Sequence, residues 1–113
     1  MRIAIVLGLI LFATPASSQS AEPCREIRGR AILYSGDSFL EIWHIGTHHT
    51  FYVVDDSSTD LIMRYVRPSV GDSRQALFAD FTLCPTAPYK RGASQATLVS
   101  RIRNPRVVTM PNK

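Results

Sequence analysis

Three histidines, His44, His48 and His49, fall within six residues. Imidazole is the commonest metal ligand and the side chain that titrates nearest neutrality. Adjacent residues of a strand point to opposite faces, so at most two of the three can share an ion, with Glu41 or Asp55 as a third donor. The plainer reading is a hairpin with exposed imidazoles, and no metal or other cofactor is expected. A second group is aromatic. Phe39 and Trp43 share one face of a strand-like segment, and Tyr52 or Phe51 lies beside them according to register. Such rings either stack on bases and sugars or fill a core. A third group is basic: after Asp80 the chain has no acidic residue, yet Lys90, Arg91, Arg101, Arg103, Arg106 and Lys113 follow. Arg101 and Arg103, two positions apart, share a strand face and can act on one ligand. That segment is either a binding surface for an anion or a solvated face with a basic tail.

Enzymatic signatures are missing. The sequence has no G-x-S-x-G nucleophile elbow, no H-E-x-x-H pair and no phosphate-cradling glycine loop. Asp55-Asp56 reads as a turn and helix cap rather than an acid/base pair. Catalysis is therefore not expected. Composition agrees with a small binding or structural protein. The 113 residues suffice for one domain, 45% are hydrophobic and 19% charged, and 13 basic residues against 9 acidic give a net charge of +4. An acidic disordered chain and a disulfide-dense toxin are both excluded.

The elements that must position these residues begin after residue 20. Residues 1–20 have a positive Arg2, an apolar run from Ile3 to Ala13, and Pro15 followed by small residues. This is the layout of a cleaved secretory signal. Its apolar run is too short to span a bilayer. Pro23 and Glu22 before Cys24 do not fit a lipidation site. The mature chain, 21–113, is expected to be periplasmic or secreted. In an oxidising compartment its two cysteines, Cys24 and Cys84, are expected to pair.

Alternating residues predict strands at 25–34, 39–45, 48–54, 75–84 and 95–103, with turns at 35–38 and 46–47. Asp55 to Asp60 offers helix caps, and Leu61, Ile62, Tyr65 and Val66 follow at helical spacing until Pro68. Arg64 and Arg67 fall on the polar side of that helix, and residues 70–74 form a loop. Pro105 and Pro111 mark a loosely ordered basic tail. Three strands, one short helix and two strands make an all-β chain in the order of an OB-like, five-stranded Greek-key barrel. In that barrel the first and fourth strands pair antiparallel, which puts Cys24 beside Cys84. A small open sheet with the helix on one face would show the same alternation.

Two blocks carry a family resemblance. Cys24, Gly29-Arg30, Tyr34-Ser35-Gly36 and Ser38-Phe39-Leu40-Glu41-Ile42-Trp43-His44-Ile45-Gly46-Thr47 form the first, and Ala79-Asp80-Phe81-Thr82-Leu83-Cys84-Pro85 the second. Together they resemble a group of short, exported, uncharacterised proteobacterial proteins with G-R…Y-N-G-x-P-S-F-R-I-W-x-x-G-T and G-D-F-T-V-C-P motifs. The resemblance covers most of residues 24–104 and implies a shared fold and disulfide, but no activity. Glu41 stands where the group has arginine, and His48-His49 where it has a basic pair, so positive charge is lost there.

The expected function is that of an exported binding or envelope-accessory module. Its candidate ligand face comprises Phe39, Trp43, Tyr52, Arg101 and Arg103. The expected partner is an anionic ligand, whether polysaccharide, lipid headgroup or nucleic acid. A protein-interaction or structural domain of the envelope is the alternative, and a small metal- or ligand-dependent enzyme the third reading.

Overall fold

The computed structural model describes residues 22–34, 39–66 and 73–111, and for Phe39 and Ser73 the backbone alone. The segment 1–21 read as a signal, the turn at 35–38, Arg67, Pro68 and most of the loop at 70–74 lie outside the described residues. Among the described residues no helix is long and apolar enough to cross a membrane.

Alternation in β1 (Arg25–Tyr34) sends Ile27, Gly29, Ala31 and Leu33 inward and Glu26, Arg28 and Arg30 outward. The same period carries into its neighbours. Ala31 stands opposite Ile42 of β2 (Phe39–His44) and Leu77 of β4 (Ser73–Pro85), both fully buried. β3 (Thr50–Val53) adds Phe51 opposite Ile42. β5 (Gln95–Pro111) runs antiparallel to β4 and parallel to β3. The five strands thus form one mixed sheet that closes in a ring, in the order β1-β2-β3-β5-β4 and back to β1. Gly29 sits where its neighbours leave no room for a side chain. A Cβ there would lie 2.9 Å from Ile42 Cγ2 and 3.1 Å from both Phe81 Cδ2 and the Trp43 carbonyl.

The helix α1 (Asp56–Met63) begins because Asp55 is extended and its carboxylate accepts from the Ser58 amide at 3.2 Å. Ile62 and, just past the helix, Val66 are buried in the core with Phe51, Phe81, Leu77 and Leu83. Burying Ile62 stabilises the fold by about 2 kcal/mol. The helix also completes the wall. β3 pairs with β5 only over Phe51–Val53 against Gln95–Thr97. Just beyond, the Ser58 hydroxyl accepts from Val99 N at 2.7 Å and donates to Val99 O at 3.2 Å, taking the place of the next strand residue.

Cys24 and Cys84 form a disulfide. It joins the start of β1 to the end of β4, as their antiparallel register requires. The C-terminal tail corrects the expectation of a loose segment. β5 continues through Pro105 to Pro111, pairing with β4 back to Ser73. Pro105 is tolerated because it falls at a bulge, where the register shifts between Phe78 and Asp80. Asn104 adopts φ 54°, and its amide donates to Asp80 Oδ2 at 2.7 Å.

A candidate ligand face on the outer side of the sheet

The turn between β2 and β3 fixes the sole tryptophan. Gly46 takes a positive φ of 89°. Thr47 Oγ1 donates to the His44 carbonyl at 2.8 Å and accepts from His49 N at 2.9 Å. The Thr47 carbonyl is thereby aimed at Trp43, whose indole N–H donates to it at 2.8 Å. The indole lies half-buried on the outer face, with the Arg30 guanidinium 4.9 Å from its ring centroid. This cation–π contact is worth about 0.5–1 kcal/mol at an exposed site and more when water is excluded. Arg74 sits likewise over Tyr34, at 5.3 Å. Nε of Arg30 and Nε of Arg74 are both buried without a hydrogen-bond partner.

Register sets these side chains in rows across the strands. Trp43 is opposite Arg30, Arg30 opposite Phe78, and Phe78 opposite Arg106. One row along, Arg28 is opposite Asp80 and Asp80 opposite Arg103. That second row is electrostatically closed. Arg28 donates to Asp80 Oδ1 at 3.3 Å, and Arg103 pairs with Glu26 at 3.6 Å. The Asp80 carboxyl is held below its ordinary value, chiefly by the Asn104 amide. Partial desolvation opposes this, and Arg28 and Arg103 add to it. Among the described residues, Arg30, Arg74, Arg101 and Arg106 have no carboxylate within ion-pair distance.

The far end of the ring, near the disulfide, is polar and matched. Gln95, 2% exposed, donates from Nε2 to the Ala87 carbonyl at 2.8 Å and to Glu22 Oε2 at 3.1 Å. Its Oε1 meets His49 Nε2 at 2.8 Å. An amide oxygen only accepts, so His49 carries a proton on Nε2. The imidazole stacks on Phe51 at a centroid distance of 4.2 Å and meets the tilted ring of Tyr89 at 4.1 Å. His44 is held below its ordinary value by burial first, then by Arg25 and His49. Beside this cluster is an open cavity of about 220 Å³ lined by Tyr52, Pro88, Lys90, Ser94 and Gln95 among others.

Of the residues singled out in the sequence, Trp43 and Tyr52 come together. Tyr52 is opposite Glu41 and hence diagonal to Trp43 on the outer face. Phe39 is opposite Tyr34 in register, and its side chain lies outside the description. Arg101 and Arg103 are exposed on β5, opposite Thr82 and Asp80, and neither shares a register row with Trp43. They are not part of one cluster with the rings. In the sequence Phe78 carried no signal, Arg30 stood out only within the family motif and Arg106 only as one of the basic residues after Asp80; the row that joins them exists only through registers that sequence does not specify. No family model, curated protein or solved structure matches this chain.

Proposed function

We propose that the protein is an exported, disulfide-stapled binding module of OB-like architecture that takes a polyanion on the outer face of its sheet. The OB-like assignment is supported by the ring order, by the helix between β3 and β4, and by the pairing of the first and fourth strands. It is also what the resemblance to the exported proteobacterial group implies. Export is supported by the disulfide, since such bonds persist in oxidising compartments.

The binding assignment rests on one observation. Among the described residues, the outer face neutralises Arg28 and Arg103 with carboxylates but leaves Arg30, Arg74, Arg101 and Arg106 without them. Positive groups held on a rigid sheet attract a polyanion by releasing its counterions. Two of these guanidiniums are already ordered over aromatic rings, so less freedom is lost on binding.

Heparin is the test ligand. Affinity is expected to fall steeply with rising salt, and replacing Arg101 and Arg106 together is expected to weaken binding and flatten that slope. Trp43→Ala should cost about 1–3 kcal/mol with little change in slope. If heparin, lipopolysaccharide and oligonucleotides all fail to bind at low salt, the polyanion assignment is wrong and the face belongs to a protein partner.

A further inference from the structure

The outer face has an order as well as a charge, and this order deepens the polyanion reading on which it rests. We infer that the row Trp43–Arg30–Phe78–Arg106 is a track for a linear anionic polysaccharide with an acidic group on every second sugar, lying across the strands. The four residues occupy successive strands, β2, β1, β4 and β5, and consecutive members are register partners. Aromatic and arginine positions therefore alternate along the register row, with the Arg30 guanidinium leaning over Trp43. Neighbouring strands lie about 4.8 Å apart, so Arg30 and Arg106 stand about 10 Å apart with Phe78 between them. An aromatic ring accepts the apolar face of a sugar, and a guanidinium takes a carboxylate or sulfate in a planar fork. One ring and one guanidinium for every two strands match a repeat of one neutral and one acidic sugar.

Nucleic acid fits this row poorly. In a duplex the phosphates of one strand rise about 3.4 Å apart along the helix axis, denser than the guanidiniums of the row. The borders of the track are set by charge. On one side lies the neutralised row of Arg28, Asp80 and Arg103. On the other, Glu41 stands between Ile32 and Tyr52 and repels an anion that strays toward β3.

Fluorescence of the sole tryptophan can follow titrations with hyaluronan oligosaccharides of increasing length, which carry a carboxylate on alternate sugars. Polygalacturonate oligomers, with one on every sugar, and oligothymidylate are the comparison ligands. A hyaluronan hexasaccharide is expected to bind and a disaccharide not to. Arg30→Gln and Arg106→Gln should each weaken the hexasaccharide about tenfold. Phe78→Leu should weaken it without changing the salt slope, whereas Arg101→Gln, off the row, should change slope and leave the length threshold intact. Glu41→Gln should tighten binding. Arg106 is exposed, so its variant remains informative if Phe78→Leu fails to fold. If heparin binds the parent but Arg106→Gln binds the hexasaccharide as well as the parent does, the track is wrong and the polyanion reading stands. Tighter binding of oligothymidylate or polygalacturonate than of hyaluronan overturns the assigned class. Failure of every polyanion, heparin included, overturns both.

Discussion

At the disulfide end of the ring, Gln95 is almost fully buried and its amide is matched by Glu22, Ala87 and His49. On the outer face, Arg30 and Arg74 bury Nε with no partner and rest on aromatic rings instead. Both regions are polar and both are ordered, yet their energetics differ. A satisfied buried amide ties three segments together, and removing it strands every partner. An arginine held by ring contact alone leaves no stranded partner when it goes. The first arrangement serves the fold. The second leaves two Nε groups unmatched within the fold.

The largest effect that bears on this contrast is expected at the disulfide, which anchors the matched end. Its cysteines are 60 residues apart, and closing a loop of that size contributes about 4 kcal/mol on the chain-entropy account. Cys84→Ala should lower the calorimetric melting temperature accordingly, while heparin affinity of the folded protein stays unchanged. Next in size is Gln95→Leu, which leaves the Ala87 carbonyl, Glu22 and His49 short of a partner at a cost of about 1–3 kcal/mol. Arg30→Met should cost less than about 1 kcal/mol, the worth of a surface cation–π contact. Denaturant titration of the two variants decides the matter, and a costlier Arg30→Met would break the comparison.

The smallest effect is in pH dependence. His44 is held below its ordinary value of 6.5, so the unfolded chain takes up its proton first. Stability therefore falls as pH drops below about 6.5 and levels off once the folded imidazole is also charged. Asp80, held below 3.8, acts further down. Its contribution is present above that value and is lost as pH falls through the lower folded one. His44→Gln should flatten the upper part of the acid limb and Asp80→Asn the lower part, as measured by chemical denaturation at a series of pH values.

How much of this was legible in the sequence follows from the range of each signal. The cap at Asp55, the helix after it and the alternation of β1 are local, and residues 55–66 and 25–34 display them directly. The Cys24–Cys84 pairing followed from an even count and a strand order. The extension of β5 beyond Pro105 was hidden, because a proline reads as a stop unless the bulge that accommodates it is known. Gln95 gave no signal, since its partners come from positions 22, 49 and 87. The row that joins Trp43 to Arg106 was equally silent. A shift of one residue in any register would turn a member inward.

The short parallel seam between β3 and β5 has a consequence for how the molecule opens. It joins three residues of each strand and is continued by one serine hydroxyl, whereas β4 and β5 are paired along nearly the whole of β4. Structures open first where the fewest bonds must break together. The ring therefore has a preferred breathing motion, a parting of β3 and α1 from β5 that leaves the β1-β2 and β4-β5 pairs intact. Amide hydrogens of Val54, which bonds to the Thr97 carbonyl, and of Val99 should exchange with solvent well before that of Ala31 in the paired wall, and Ser58→Ala should accelerate both.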